Sequence, residues 1–232
     1  MDVRLTDYFG LQVAGTFPDI TRTAVVTNAA TNVNFRESFS GLGDTSLLGW
    51  YRPPPVFGWN VILNFGASLP TGKTEEPLFR PELDDGNLVP THRLQRGSGT
   101  FDPLLGATVS RRIEDFTVFG SLAARTPFSQ NSDGLRTGAS EELNWGVARE
   151  LGTHRISGFA RAEWLHREQD VFEGIPTLEG GGNWIYVTPG IAAQVGKSVM
   201  VQGEVKIPVH RALANKQLDS SAIFQFGISR SF

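Results

Sequence analysis

A period of two runs through this chain and limits what it can fold into. Over residues 198–210, Val199, Val201, Gly203, Val205, Ile207 and Val209 share one parity, and Met200, Gln202, Glu204, Lys206 and His210 share the other. Only an extended strand places alternate residues on opposite faces in this way. The preceding segment repeats the pattern, with Ile185, Val187, Pro189, Ile191, Ala193 and Val195 opposite Tyr186, Thr188, Gly190 and Gln194. Gly196-Lys197 between the two suits a tight hairpin turn with glycine at its first central position. Further alternating segments lie near residues 5–17, 44–52, 59–69, 101–112, 116–128, 142–151, 155–167 and 222–232. That makes about ten segments, each close to the roughly 9 to 11 residues of a tilted membrane-spanning strand. No segment carries a helical period of apolar residues, and Pro and Gly recur too often for long helices. The expected class is all-β, in one domain over residues 1–232.

Composition narrows the function classes. A formal net charge of -3 lacks the basic footprint of a general nucleic-acid binder, so no nucleic-acid partner is expected. The absence of cysteine removes disulfide frameworks, thiolate metal sites and cysteine nucleophiles. Mean hydropathy is -0.16, and no apolar run approaches the roughly 18 residues of a spanning helix. A membrane β-barrel stays open, because its lipid-facing and lumen-facing residues alternate and average out. Met1 is followed by Asp2 and Val3 with no charged or apolar leader region, so any signal peptide is expected to have been removed beforehand.

Connections alternate in length. Short ones fall at residues 53–58, 113–115, 152–154 and 196–197, and long ones at 19–43, 70–100, 129–141, 168–183 and 211–220. Short turns on one side and long polar loops on the other are the pattern of an up-and-down outer-membrane barrel, which would put both termini in the periplasm. Outward-running segments close on a proline, at Phe17-Pro18, Leu69-Pro70, Thr126-Pro127 and Ile207-Pro208, where a rim would end the pairing. Returning segments carry a central glycine, Gly49, Gly106, Gly146, Gly190 and Gly227, which permits sharp coiling.

One face is uniformly apolar: Trp59, Val61, Leu63, Phe65 and Leu69 in one segment, Phe224, Phe226, Ile228 and Phe232 in the last. The other holds Asp44, Asn60, Asn64, Arg125, Asn144, Arg161, Glu163, Gln202, Glu204, Lys206 and Gln225, groups that are costly to bury unpaired. A soluble lipocalin-type barrel would turn its apolar face inward, and periodicity alone does not choose between the two. Aromatics point to the membrane form, with Tyr51, Trp59, Phe116 and Phe232 near one rim and Phe17, Phe101, Phe128, Trp164 and Trp184 near the other, as two interfacial girdles would require.

Several short motifs recur in one order: Gly41-Leu42-Gly43-Asp44 with Tyr51-Arg52, Leu69-Pro70-Thr71-Gly72, Gly97-Ser98-Gly99-Thr100-Phe101-Asp102, Ile207-Pro208-Val209-His210 and the terminal Phe232. Together they resemble a family of Gram-negative outer-membrane barrels whose members are labelled transporters or meta-pathway phenol-degradation proteins. The resemblance covers most of the chain. It implies uptake of small compounds, hydrophobic or aromatic ones among them, and an intact relative of 12 strands with a further amino-terminal hairpin. Phe232 looks like the terminal signal of the barrel-assembly machinery, although Arg230 stands where an aromatic is usual. Outer-membrane lipid and lipopolysaccharide are the implied surroundings.

Other motifs carry less. Residues 66–74 read GASLPTGKT, but Gly72 comes one residue too late for a phosphate-binding loop, and the segment reads as a strand end meeting an outer loop. His92, His154, His166 and His210 lack metal-ligand spacing, and no nucleophile stands in a recognisable setting. No enzyme, metal or cofactor is expected. Glu75, Glu76, Glu82, Asp84 and Asp85 read as a solvated acidic loop. The inward charges are the candidate site: Asp44, Arg125, Arg161, Glu163, Glu204 and Lys206 line the lumen, with Arg125, Arg161 and Lys206 pairing against Glu163, Glu204 and Asp44. The expected function is a monomeric narrow channel or transporter for small molecules. The alternatives are a non-conducting interaction barrel with a plugged lumen and a soluble ligand-binding barrel.

Overall fold

A computed structural model describes residues 2–4, 6–15, 19–27, 32–74, 95–152, 155–196, 198–214 and 221–230. Among them there is no helix. The strands are β1 (Asp2–Arg4), β2 (Phe9–Gly15), β3 (Asp19–Thr27), β4 (Asn32–Ser40), β5 (Thr45–Tyr51), β6 (Asn60–Leu69) and β7 (Asp102–Ile113). There follow β8 (Phe116–Arg125), β9 (Leu135–Arg136), β10 (Ser140–Leu151), β11 (Ile156–Phe172), β12 (Ile175–Val195), β13 (Val199–Leu213) and β14 (Ile223–Arg230).

Twelve of these form one antiparallel up-and-down sheet in the order β1-β2-β5-β6-β7-β8-β10-β11-β12-β13-β14, with β9 pairing β11. Its edges, β1 and β14, are not joined. The ten alternating segments are the ten long members of this sheet; β1 and β9 are short additions to the expected count.

Tight turns link the strands at one end. At Phe57-Gly58 (φ 51° and 77°) Val56 and Trp59 exchange both backbone hydrogen bonds, at 3.1 and 2.9 Å. Positive φ at both central residues gives the turn the twist a hairpin needs. Two of the long connections are not loops. Residues 19–43 hold β3 and β4, a separate two-stranded sheet. Residues 168–183 are the ends of β11 and β12, which run to 17 and 21 residues and meet at Glu173-Gly174 (φ 48° and 83°). Pro176 and the glycine run 180–182 read as loop punctuation, yet a register shift between Gln169 and Val171 absorbs the irregularity and lets the pairing continue. Pro70 and Pro127 do follow strand ends, whereas Pro208 lies inside β13. It pairs with Tyr186 beside the register shift that follows Ile185, and it lies beyond the last β14 pair at Lys206, so on that side no ladder calls for its missing N–H. Phe17-Pro18 lies outside the described residues.

Glycine and aromatic residues face each other across the ladder. Gly10 pairs with Trp50, Gly49 with Phe65, Gly146 with Phe119 and Gly190 with Phe159. In each pair a Cβ on the glycine would collide with the facing ring. Gly49, Gly146 and Gly190 of the central glycines, with Gly10, thus provide space for a cross-strand ring, which pins the register, whereas Gly106 and Gly227 face Asn64 and Gln202.

Exposure runs opposite to that of a water-soluble sheet. Phe224, Phe226 and Ile228 are 80, 83 and 74% exposed, and Leu63, Phe65, Leu105, Leu122 and Trp145 also lie open on the convex face. On the other face Asp102, Thr188 and Glu163 are 0, 0 and 1% exposed. That face is concave: one cavity of about 370 Å³ is bordered by Gln12 of β2, Leu48 of β5, Asn64 of β6, Thr108 of β7, Ser121 of β8 and Glu142 of β10. Six consecutive large strands can meet around one cavity only if the sheet curls strongly, as its twist favours.

Candidate functional site

The polar face carries its charges in groups. Arg161 Nη2 donates to Glu204 Oε1 at 2.7 Å, and its Nε lies 3.6 Å from Glu163 Oε2. Lys206 pairs with the other oxygen of Glu163 and stands 4.3 Å from the centre of the Tyr186 ring. Arg161 and Glu163 are on β11 while Glu204 and Lys206 are on β13, two strands away and about 10 Å at the backbone. Register explains how they meet, since the intervening β12 offers Thr188 opposite Arg161 and Gly190 opposite Glu204. A small side chain and an absent one let the longer ones reach across. The four residues form one ion-paired cluster.

Arg125 pairs differently from expectation. Its Nε donates to Asp102 Oδ2 at 2.6 Å, Nη2 reaches the same oxygen, and Thr100 Oγ1 donates to Asp102 Oδ1 at 2.7 Å. Asp102 is the partner, and neither Glu163, Glu204 nor Asp44 takes part in those bonds. The signal was available: counting back by twos from Leu104, which faces Arg125 in the register, puts Asp102 on the same face.

Asp44 binds loops. Its Oδ1 accepts from Gly72 N at 3.1 Å, and its Oδ2 from Ser98 N and Oγ at 2.8 and 2.7 Å. Thr71 Oγ1 donates to Gly43 O at 3.0 Å, and Asn131 Nδ2 reaches Ser98 O at 3.4 Å. A Cβ on Gly72 would stand 2.7 Å from Gly97 Cα, so glycine is needed where these two loops touch. Three of the sequence motifs, around Asp44, Thr71 and Ser98, therefore meet at the end of the sheet opposite the tight turns. The amide of Gly72 serves this clamp, and residues 66–74 are a strand end and a turn.

At the turn end the convex face carries paired aromatics and arginines. Phe9 stacks on Tyr51 with centroids 4.7 Å apart, Arg111 lies 5.9 Å from Trp59, and Arg149 lies 5.1 Å from Phe116. Trp164 stacks on His166 toward the other end, and Phe101 and Phe128 are exposed there. Trp184 departs from expectation: it shares the parity of Tyr186 and is buried on the concave face. Phe17, Phe232, His92, His154 and the acidic positions Glu75, Glu76, Glu82, Asp84 and Asp85 lie outside the described residues. Among the described residues no three His, Asp or Glu come together as a metal would require. No protein-family model matches the chain, and no curated protein matches it.

Proposed function

We propose that the chain is an outer-membrane β-barrel whose polar face lines a narrow path for small molecules. The carrying observation is the inverted burial: charged and hydroxyl groups enclosed on the concave face, large apolar side chains open on the convex one. Water penalises an apolar surface of this extent, and lipid does not. Along β10 the uncharged convex band is bracketed by Glu141 and Arg149, about 26 Å apart along the strand. At the roughly 40° tilt of barrel strands that length projects to about 20 Å along the membrane normal, and long charged ends turned outward bring it toward the roughly 25 Å apolar band of an outer-membrane barrel. The Arg111, Arg149, Trp59, Phe116 and Tyr51 belt suits a headgroup layer, where long cations can turn toward water. The turn end would then face the periplasm, with the end of β14; β1 departs from the expected placement of both termini there, since it runs toward the turn end from Asp2, which pairs with Gln12 in mid-sheet.

The resemblance to Gram-negative outer-membrane transporters agrees with this reading, and supports small solutes, aromatic ones among them, as cargo. Bilayer closure, lipopolysaccharide contact and recognition of Phe232 by the assembly machinery belong to the same proposal. The clamp around Asp44 favours a second reading, an interaction barrel roofed by its own loops. Planar-bilayer recording separates the two. The channel reading predicts steady openings whose conductance changes in Glu204→Gln, and a silent bilayer with verified insertion would favour the plugged barrel.

A further inference from the structure

Several charges on the concave face are paired off. Asp102 neutralises Arg125, Glu150 neutralises Arg112 at 3.0 Å, and Asp170 neutralises Arg167 at 3.0 Å. Five others form a chain of alternating sign, in which Arg161 bridges Glu204 and Glu163, Lys206 joins Glu163, and Glu142 lies within electrostatic reach of Lys206. Within this cluster three carboxylates face two cations. At the far end Glu204 Oε2 is buried with no hydrogen-bond donor among the described residues. At the near end Glu142 borders the cavity of about 370 Å³, a volume within the range of small-molecule sites.

Around Glu142 the chemistry is that of a cation site. Its Oε1 accepts from Asn144 Nδ2 at 2.6 Å, and that amide also reaches Ser121 Oγ at 3.3 Å. Ser121 and Thr108 add hydroxyl oxygens, while Leu48, Leu104 and Leu165 supply apolar wall. The one cation on this wall, Arg125, is held by the fully buried Asp102. A carboxylate solute would meet the Glu142 carboxylate at the acidic end of this cluster, and an uncharged apolar one would leave Glu142 without a partner from the solute.

We propose that this cavity binds a small organic cation, an amine on a compact apolar body, with its ammonium on the Glu142 carboxylate and its body against the leucines. The inference rests on the reading of the concave face as a solute-accessible lumen. The test is calorimetric titration of the micelle-folded protein with cyclohexylamine, cyclohexanol and cyclohexanecarboxylate, each corrected against protein-free micelles. Cyclohexylamine should bind roughly tenfold or more tightly than cyclohexanol, the scale of one charge-assisted hydrogen bond. Glu142→Gln, which keeps the Asn144 contact possible, should remove that preference, and Ser121→Ala should weaken it. Equal binding of amine and alcohol by a properly folded barrel, or preference for the carboxylate, would overturn this inference alone. Failure to fold in micelles would overturn the lumen reading and this inference with it.

Discussion

Asp102 and Glu163 hold the polar face together because each is enclosed and each has cations to answer. Replacing one partner of a buried ion pair strands the other, at a cost of about 3–5 kcal/mol. Asp102→Ala should therefore lose about that much in urea unfolding from micelles, and Asp102→Asn less, since an amide oxygen still accepts from Thr100. Glu163→Gln should cost as much, with Arg161 and Lys206 both affected; an effect below about 1 kcal/mol would mean that water already solvates the cluster. Arg161, Glu163, Glu204 and Lys206 are legible from parity alone, because pairing across a small-residue strand follows from alternation. Asp44 is not, because parity ends where the strand ends. Its role comes from two loops that return to it from residues 72 and 98, and no periodicity encodes that return.

Strands owe their register to the glycine and aromatic pairs. Gly190→Ala would drive a methyl into the Phe159 ring, and overpacking of this kind costs about 1–3 kcal/mol. Phe159→Ala should relieve it, so the double variant should be more stable than the sum of the single losses; strict additivity would show that the ring does not set the register. The ten long strands were readable because each repeats its period over many residues. The long ends of β11 and β12 were not, because three successive glycines erase the face pattern just where the hairpin continues. The pair β3 and β4 was hidden for a related reason: residues 19–43 mix charged, hydroxyl and apolar residues without a uniform face.

At the scale of the molecule, the proposed lipid exposure of the convex face predicts the cost of a charge placed on it. Leu122 lies mid-strand and half exposed. Leu122→Arg should destabilise the micelle-folded protein by about 2–4 kcal/mol, the penalty of arginine at a bilayer midplane. A water-facing position would tolerate it within about 0.5 kcal/mol. Sequence alternation leaves open which face of the sheet is enclosed, and the burial of the polar face and the cavity it borders identify that face. The most direct test of the central claim is refolding with and without detergent micelles, read by heat-modifiable gel mobility and β-type circular dichroism. The account predicts a compact, heat-modifiable species in micelles and aggregation in buffer; a monodisperse β-sheet protein in buffer alone would contradict it.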